Sequence, residues 1–363
     1  MNSPTVSIVM SSYNGGKYLA KTMDSVLAQS FQDWEFLIYD DCSTDNSRDI
    51  INSYNDPRIK PYYPKTHEHM VMGFNHGITH SIGTYIARID NDDTWEPEKL
   101  QKQVDFLNKN PEYGACFTLV TMIDENDHVL TEKDSERVTW FDTRNKSQAE
   151  WLRYFFFKGS CLCHTSVMIT RKALDIVGLY NLAYIQLQDY DMWVRITKHF
   201  PIHVLQEKLT NYRWFTKGTN VSAASLTTVR RSNFEFSQIL SKFFDDIPDD
   251  LFVRAFGNDF VLKGALDPDE LKIERMMLLF KPVFCGLIPE LGGAQKFIGM
   301  LQDDKMRLLL REKYDMTQLL LYQITGKPML YEEITQASIP TEMITPKTRK
   351  VRRLLSWLKR RFV

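Results

Sequence analysis

Cysteine is scarce: five in 363 residues, at Cys42, Cys116, Cys161, Cys163 and Cys285. An odd, scattered set of this kind fits a reduced, cytosolic protein rather than a disulfide scaffold. No apolar run reaches the ~18 residues that would span a bilayer. The richest, Met276 to Ile288, is broken by Lys281 and Pro282. Met1-Asn2-Ser3-Pro4 passes straight into a strand-like run, so no signal peptide is expected. Charge of one sign is lacking too. Lys and Arg number 45 against 46 Asp and Glu, without the basic excess of a nucleic-acid binder. There is no Walker A sequence and no G-x-S-x-G, which removes P-loop enzymes and typical α/β hydrolases. Internal repeats and long low-complexity segments are also absent from the sequence.

What is present is an alternation of two periods. Val6 to Met10 is a short β-branched run suited to a buried parallel strand, broken by Tyr13-Asn14-Gly15-Gly16. Leu19, Met23, Val26 and Leu27 then recur at helical spacing. A second strand, Trp34 to Tyr39, empties into Asp40-Asp41, and Ser43-Thr44-Asp45-Asn46 supplies helix-capping chemistry. A strand over Ile59 to Tyr63, a helix over about Met72 to Ser81 and a strand over Tyr85 to Ile89 follow. This order predicts an α/β, doubly wound sheet with ligands outside the carboxyl ends of the strands. Residues 94–108 read as the next helix, with Thr94 as a possible cap and Pro97 in the first turn. Mixed short elements occupy about 113–225, and helix-rich sequence follows 230.

The carboxylates gather where such a fold binds ligands. Asp90-Asn91-Asp92-Asp93 places three carboxylates in four residues at a strand end, where a hard divalent ion shared with substrate phosphates would offset their repulsion. An Asp/Asn-rich turn with a helix cap is the other reading. In Gln188-Asp189-Tyr190-Asp191-Met192-Trp193-Val194-Arg195, the apolar positions can pack inward and leave Asp189 near a helix start. There it could serve as a general base, or Asp189 or Asp191 could favour the helix N-terminus or pair with Arg195. Tyr212-Arg213-Trp214 and Asn220 form a polar-aromatic stretch able to meet a diphosphate. Cys161-Leu162-Cys163-His164 has no second ligand pair at zinc spacing, so two buried thiols on one face of a strand are expected.

Four segments together carry a resemblance: Ser7-Ile8-Val9-Met10-Ser11-Ser12-Tyr13-Asn14, Leu37-Ile38-Tyr39-Asp40-Asp41-Cys42-Ser43-Thr44-Asp45, Ile89-Asp90-Asn91-Asp92-Asp93 and Gln188-Asp189-Tyr190-Asp191-Met192-Trp193. In this order, over about residues 5–225, they resemble the family 2 glycosyltransferases of the GT-A fold, of the bacterial cell-surface polysaccharide type. The resemblance implies inverting transfer of a sugar from a nucleoside diphosphate donor, usually UDP-linked, with Mn²⁺ or Mg²⁺. It implies that Tyr13 stacks on the nucleobase, Ser11 lines its pocket, Asp41 accepts from the base and Asp90 lies near the ribose. Asp92 would ligate the metal, Asp189 falls where the family's catalytic base lies, and Asp191, Arg213 and Asn220 are possible diphosphate or acceptor contacts. Three positions depart from the pattern. Gln188 stands where Glu often precedes the base, Phe74 where Arg commonly precedes Asn75, and Phe215 where His often follows Tyr-Arg. The rivals are a GT-A-like sugar nucleotidyltransferase, whose G-x-G-x-R loop is missing after the first strand, and a non-catalytic sugar-nucleotide scaffold.

The expected domains are 1–228, with a nucleotide-binding half to 103 and an acceptor half from 104, a helical accessory region 229–345, and a tail 346–363. Lys347 to Val363 holds eight Lys/Arg and no Asp or Glu, with Val351, Leu354, Leu355, Leu358 and Phe362 at helical spacing. That is the pattern of an amphipathic helix on anionic lipid, the other readings being a solvated helix packed on the domain or a disordered basic tail. The resemblance implies a glycan or lipid-linked glycan acceptor, and with it the tail is expected to hold the protein peripherally on the inner membrane face. Without those eight charges the total of −1 becomes −9 for residues 1–346.

Overall fold

The computed structural model describes residues 3–215, 225–284 and 288–326. It divides into two compact units, Met1–Leu152 with Ser160–Ala224, and Arg153–Gly159 with the residues from Ser225 on.

The first unit is built on an eight-stranded mixed sheet. Its strands are β1 (Val6–Ser12), β2 (Trp34–Asp40), β3 (Ile59–Tyr62), β4 (Tyr85–Arg88), β5 (Thr94–Trp95), β6 (Ala115–Ile123), β7 (Met168–Thr170) and β8 (Ile202–Arg213). Its helices are α1 (Leu19–Leu27), α2 (Ser47–Ser53), α3 (Met70–His80), α4 (Lys99–Lys109), α5 (Gln148–Lys158), α6 (Arg171–Val177) and α7 (Gln188–His199), α5 running on into the second unit. The strand order is β3-β2-β1-β4-β7-β6-β8-β5. β1 pairs in parallel with both β2 and β4, so the chain reverses its winding between β1 and β4. The loops after those two strands open on the same crevice, where open α/β sheets bind ligands. β7 runs antiparallel to β4 and β6, which makes the second half mixed.

Alternation along β1 assigns the two faces. Ile8 and Met10 join Leu19, Met23 and Val26 of α1 and Leu100, Val104 and Leu107 of α4 in one core. Val9 and Ser11 turn to α3, where glycines let the helix approach closely. A Cβ on Gly73 would lie 2.3 Å from Ser11 Oγ, and one on Gly77 would lie 3.0 Å from Val9 Cγ1.

Two local expectations are corrected. Residues 94–108 are not one helix: Thr94 and Trp95 pair with Asn211 and Thr210 of β8, and α4 starts only at Lys99. Pro97 disfavours helical geometry at Glu96, and the buried Trp95 indole donates to Thr165 O at 3.0 Å, which fixes the extended segment. Cys161 and Cys163 are buried as expected but belong to no strand. Cys163 instead opens a 3₁₀ turn, His164–Ser166, whose Ser166 N–H and Oγ–H both donate to Cys163 O.

The second unit is helical: α8 (Leu226–Ser241), α9 (Asp249–Phe256), α10 (Pro268–Leu278), α11 (Glu290–Leu301), α12 (Asp304–Tyr314) and α13 (Gln318–Thr325). Asp267 and Glu270 form a capping box at the start of α10. Ile273, Met276, Phe297, Met306, Leu310 and Tyr314 form a core. Among the described residues no helix is long and apolar enough to cross a membrane.

Candidate active site

The crevice is built from backbone turns that few side chains tolerate. Asn14 (φ 50°), Cys42 (φ 63°) and His69 (φ 83°) all have positive φ; the first two follow β1 and β2, and the third precedes α3. Strain concentrated in this way marks functional loops when the surroundings hold it. Here the surroundings do. Asn14 N–H donates to Ser43 Oγ, Thr44 N–H to Asn14 Oδ1, Gly15 N–H to Ser47 Oγ and Gly16 N–H to Asp45 Oδ2, all at 2.8–3.0 Å. A Cβ on Gly15 would fall 2.2 Å from Asn91 Nδ2, so a larger residue there would push the Asn91 side chain aside. Asn91 in turn donates to Ser12 Oγ at 3.0 Å, joining the β1 and β4 loops.

On this frame Tyr13 presents a half-exposed ring whose centroid lies 4.4 Å from that of His67. Ser11 is buried beneath. Asp41 is buried, and its two oxygens accept from the backbone N–H groups of Glu68 and His69 at 2.8 Å each. Asp40 points elsewhere and pairs with Arg48 at 2.7 Å.

The β4 end carries the charge. Asp90 meets Arg88 Nε at 3.2 Å and His164 Nε2 at 2.9 Å. Burial would raise its carboxyl, but the Arg88 guanidinium and the His164 ring hold it well below the usual carboxylate range. Asp92 behaves oppositely: burial and the neighbouring Asp90 charge push it up to about 6. Asp93, deeper still, is pushed well up by burial and by Asp92 and Asp90. Burial would lower His164, yet Asp90 outweighs it and the ring is raised to about 9, so both nitrogens carry protons.

α7 delivers Asp189 to the same place. Met192, Trp193 and Ile196 are buried, as their spacing predicts, and the first turn faces the crevice. Asp189 Oδ1 accepts from Tyr190 N–H at 2.7 Å, and Oδ2 lies 3.5 Å from His164 Nδ1. Asp191 pairs with Arg195 at 2.8 Å, one of the two pairings the sequence left open. Arg213 is buried and donates through Nε to Asp92 O at 2.8 Å and through Nη1 to Asp124 O at 2.7 Å. Asn220 lies outside the described residues. Phe74, at the place commonly held by Arg, stacks 3.7 Å from the Arg88 guanidinium.

The sequence reading missed Arg88 and His164. Arg88 looks like a polar interruption of a strand, and His164 trails a pair of buried thiols. The available signal was a basic residue immediately before Ile89-Asp90 and a histidine in an otherwise apolar run.

Among the described residues, no three His, Cys, Asp or Glu side chains converge to hold an ion unaided. Asp92 nevertheless suits one that diphosphate oxygens complete, the arrangement typical of a hard divalent cation. Its charge is under-compensated where Asp90 is satisfied.

Comparison with known proteins agrees with this geometry. Residues 7–177 match the sequence model described as Glycosyl transferase family 2. The putative glycosyltransferase EpsE of Bacillus subtilis (strain 168) is 31% identical over 59% of this chain and 74% of its own. The putative teichuronic acid biosynthesis glycosyltransferase TuaG of the same organism is 28% identical over 65% of this chain and 88% of its own. In structure, S. aureus TarS 1–349 in complex with UDP aligns with a TM-score of 0.54 over 92% of this chain and 90% of that one, at 15% identity. The mannosyltransferase PcManGT of Pyrobaculum calidifontis, in complex with GDP-Man and Mn²⁺, aligns with a TM-score of 0.51 over 95% and 89%, at 13% identity. These likenesses establish the GT-A fold. With four motifs in order on one crevice, the chain belongs to glycosyltransferase family 2 and is a glycosyl-transferring enzyme.

Proposed function

We propose that the enzyme transfers a sugar, with inversion, from a UDP-linked donor to a hydroxyl of a glycan or lipid-linked glycan. The supporting observation is the meeting of Asp90 and Asp189, far apart in sequence, on the two nitrogens of one imidazole. That meeting supports reading Asp189 as the base beside the nucleotide end of the crevice. Inversion requires a base on the face opposite the leaving group. Asp189 takes the acceptor hydroxyl's proton while the hydroxyl oxygen bonds to the anomeric carbon and the bond to the diphosphate breaks.

Tyr13 stacks on the base, Ser11 and Asp41 line its pocket, and Asp90 faces the ribose. Asp92 would hold Mn²⁺ or Mg²⁺, which when bound would supply Lewis-acid stabilisation of the departing diphosphate. Asp191, Arg213 and Asn220 are assigned supporting parts, Arg213 by holding the Asp92 backbone. We assign transfer to residues 1–228, with 229–345 accessory, and the division near Ser225 supports that boundary. The names of relatives support the class of chemistry: TarS has been crystallised with UDP and UDP-GlcNAc, and TuaG is named for teichuronic acid biosynthesis. Residues 346–363, outside the described residues, are assigned to an anionic membrane surface on the cytoplasmic side.

A panel of UDP- and GDP-linked sugars, scored for nucleoside diphosphate release with Mn²⁺ present, tests this reading. Turnover of a UDP-sugar is expected, and Asp92→Asn should weaken both metal and donor binding. Turnover confined to GDP-sugars would overturn the donor assignment.

A further inference from the structure

His164 belongs to none of the four motifs, yet it occupies the centre of the charge cluster. Its turn is anchored from two sides: Trp95 Nε1 donates to Thr165 O at 3.0 Å, and Ser166 closes back on Cys163. The ring also packs nearly perpendicular to that of Tyr212, with centroids 6.1 Å apart. The imidazole therefore has little freedom of its own.

Its two nitrogens do different work. Nε2 grips Asp90, which Arg88 also holds, so Asp90 keeps a partner if the ring is lost. Nδ1 faces Asp189, whose other oxygen accepts from the backbone N–H of Tyr190. Among the described residues, His164 is the side chain that ion-pairs with Asp189. Without the ring, Arg88 still pairs with Asp90, but among the described residues Asp189 Oδ2 loses its ion-pair partner and the carboxylate would be able to turn toward water. A base displaced by an ångström loses much of its rate advantage.

We infer that His164 is a positioning residue for the transfer reaction, anchored on Asp90 and holding the Asp189 carboxylate toward the acceptor hydroxyl. This rests on the reading of Asp189 as the base. It links the nucleotide end of the crevice to the base through one rigid ring, so the base is in place before the acceptor arrives.

The two nitrogens can be tested separately. An Asn amide places an N–H near the Nδ1 position, and a Gln amide places one near Nε2. The readout is steady-state nucleoside diphosphate release with MnCl₂, using whichever UDP- or GDP-linked hexose the wild type turns over fastest. Nucleoside diphosphate affinity is measured by calorimetry on the same samples. His164→Ala should lower kcat at least about tenfold with donor KM within about threefold, a loss within the range for acid–base steps. His164→Asn should recover more of kcat than His164→Gln. A double mutant with Asp189→Asn should be no slower than Asp189→Asn alone, because the two act as a unit.

Full kcat in His164→Ala, equal or reversed recovery by Asn and Gln, or a multiplicative loss in the double mutant would each overturn the inference. If Asp189→Asn itself keeps full turnover, the base assignment falls and this inference with it. If Asp189→Asn is inactive while His164→Ala is unimpaired, only this inference falls. Should His164→Ala fail to fold, His164→Asn and His164→Gln carry the same comparison.

Discussion

The backbone N–H of Arg213 donates to Asp93 Oδ1 at 2.7 Å, and the side chain of Arg213 reaches past it to the carbonyl of Asp92. The cation that sequence suggests for a diphosphate is thus committed beneath the acidic turn, with a further ion pair to Asp127 at 2.6 Å. Arg213→Met keeps the backbone bond to Asp93 but removes the side-chain contacts to Asp92 O, Asp124 O and Asp127, so the buried acidic turn loses its neighbouring cation. Removing one partner of a buried charged network typically costs about 3 kcal/mol or more. Thermal denaturation should show a fall in Tm of about 6–12 °C for a unit of this size. Metal and donor affinity should fall together, because the turn that presents Asp92 loosens.

Tyr13 gives the opposite pattern. Its ring is 48% exposed and rests against His67 without filling a core. Tyr13→Ala should leave Tm unchanged within error. Base stacking is worth about 1–3 kcal/mol, so UDP affinity measured by calorimetry should weaken about tenfold, with Tyr13→Phe close to wild type.

Lys99 is fully buried on α4, its ammonium 3.9 Å from the Trp95 ring centroid and donating to Gln103 Oε1 at 2.8 Å. Burial pulls its pKa down to about 7 from an ordinary 10.5. The folded state therefore binds fewer protons than the unfolded state between those values, and stability rises with pH through that window. Lys99→Met removes the dependence. In urea titrations the variant should exceed wild type by ~2 kcal/mol or more at pH 7. The gap should close toward pH 10. A gap that widens with pH would refute the argument.

Much of the fold was legible because it is written locally. The alternation along Val6–Ser12, the glycines at Gly15 and Gly16 and the inward face of α7 each follow from neighbours in sequence. The corrected helix at 94–108 shows where that logic stops: Trp95 is held by Thr165 and β8, which no local pattern reveals. His164 was illegible for the same reason. It reaches Asp90 because β7 pairs antiparallel with β4, with Met168 opposite Ala87, and that register is a tertiary choice. The departure at Phe74 also gains a physical meaning from distant packing, since the ring stacks on Arg88.

The tail assignment makes a separate prediction. Deleting residues 347–363 should abolish flotation with liposomes containing anionic phospholipid, and high salt should weaken binding of the full chain. Solution turnover with a free acceptor should persist. A truncated protein that still floats would show that another surface binds lipid.

Removal of the acceptor proton by Asp189, at a crevice where Asp92 would hold the metal, is tested most directly by comparing nucleoside diphosphate release by wild type and Asp189→Asn at saturating donor and Mn²⁺, with UDP affinity measured in parallel. The expected result is a fall in kcat of about 10²–10⁴-fold, the range for general acid–base catalysis, with UDP affinity unchanged. Wild-type turnover by Asp189→Asn would contradict it.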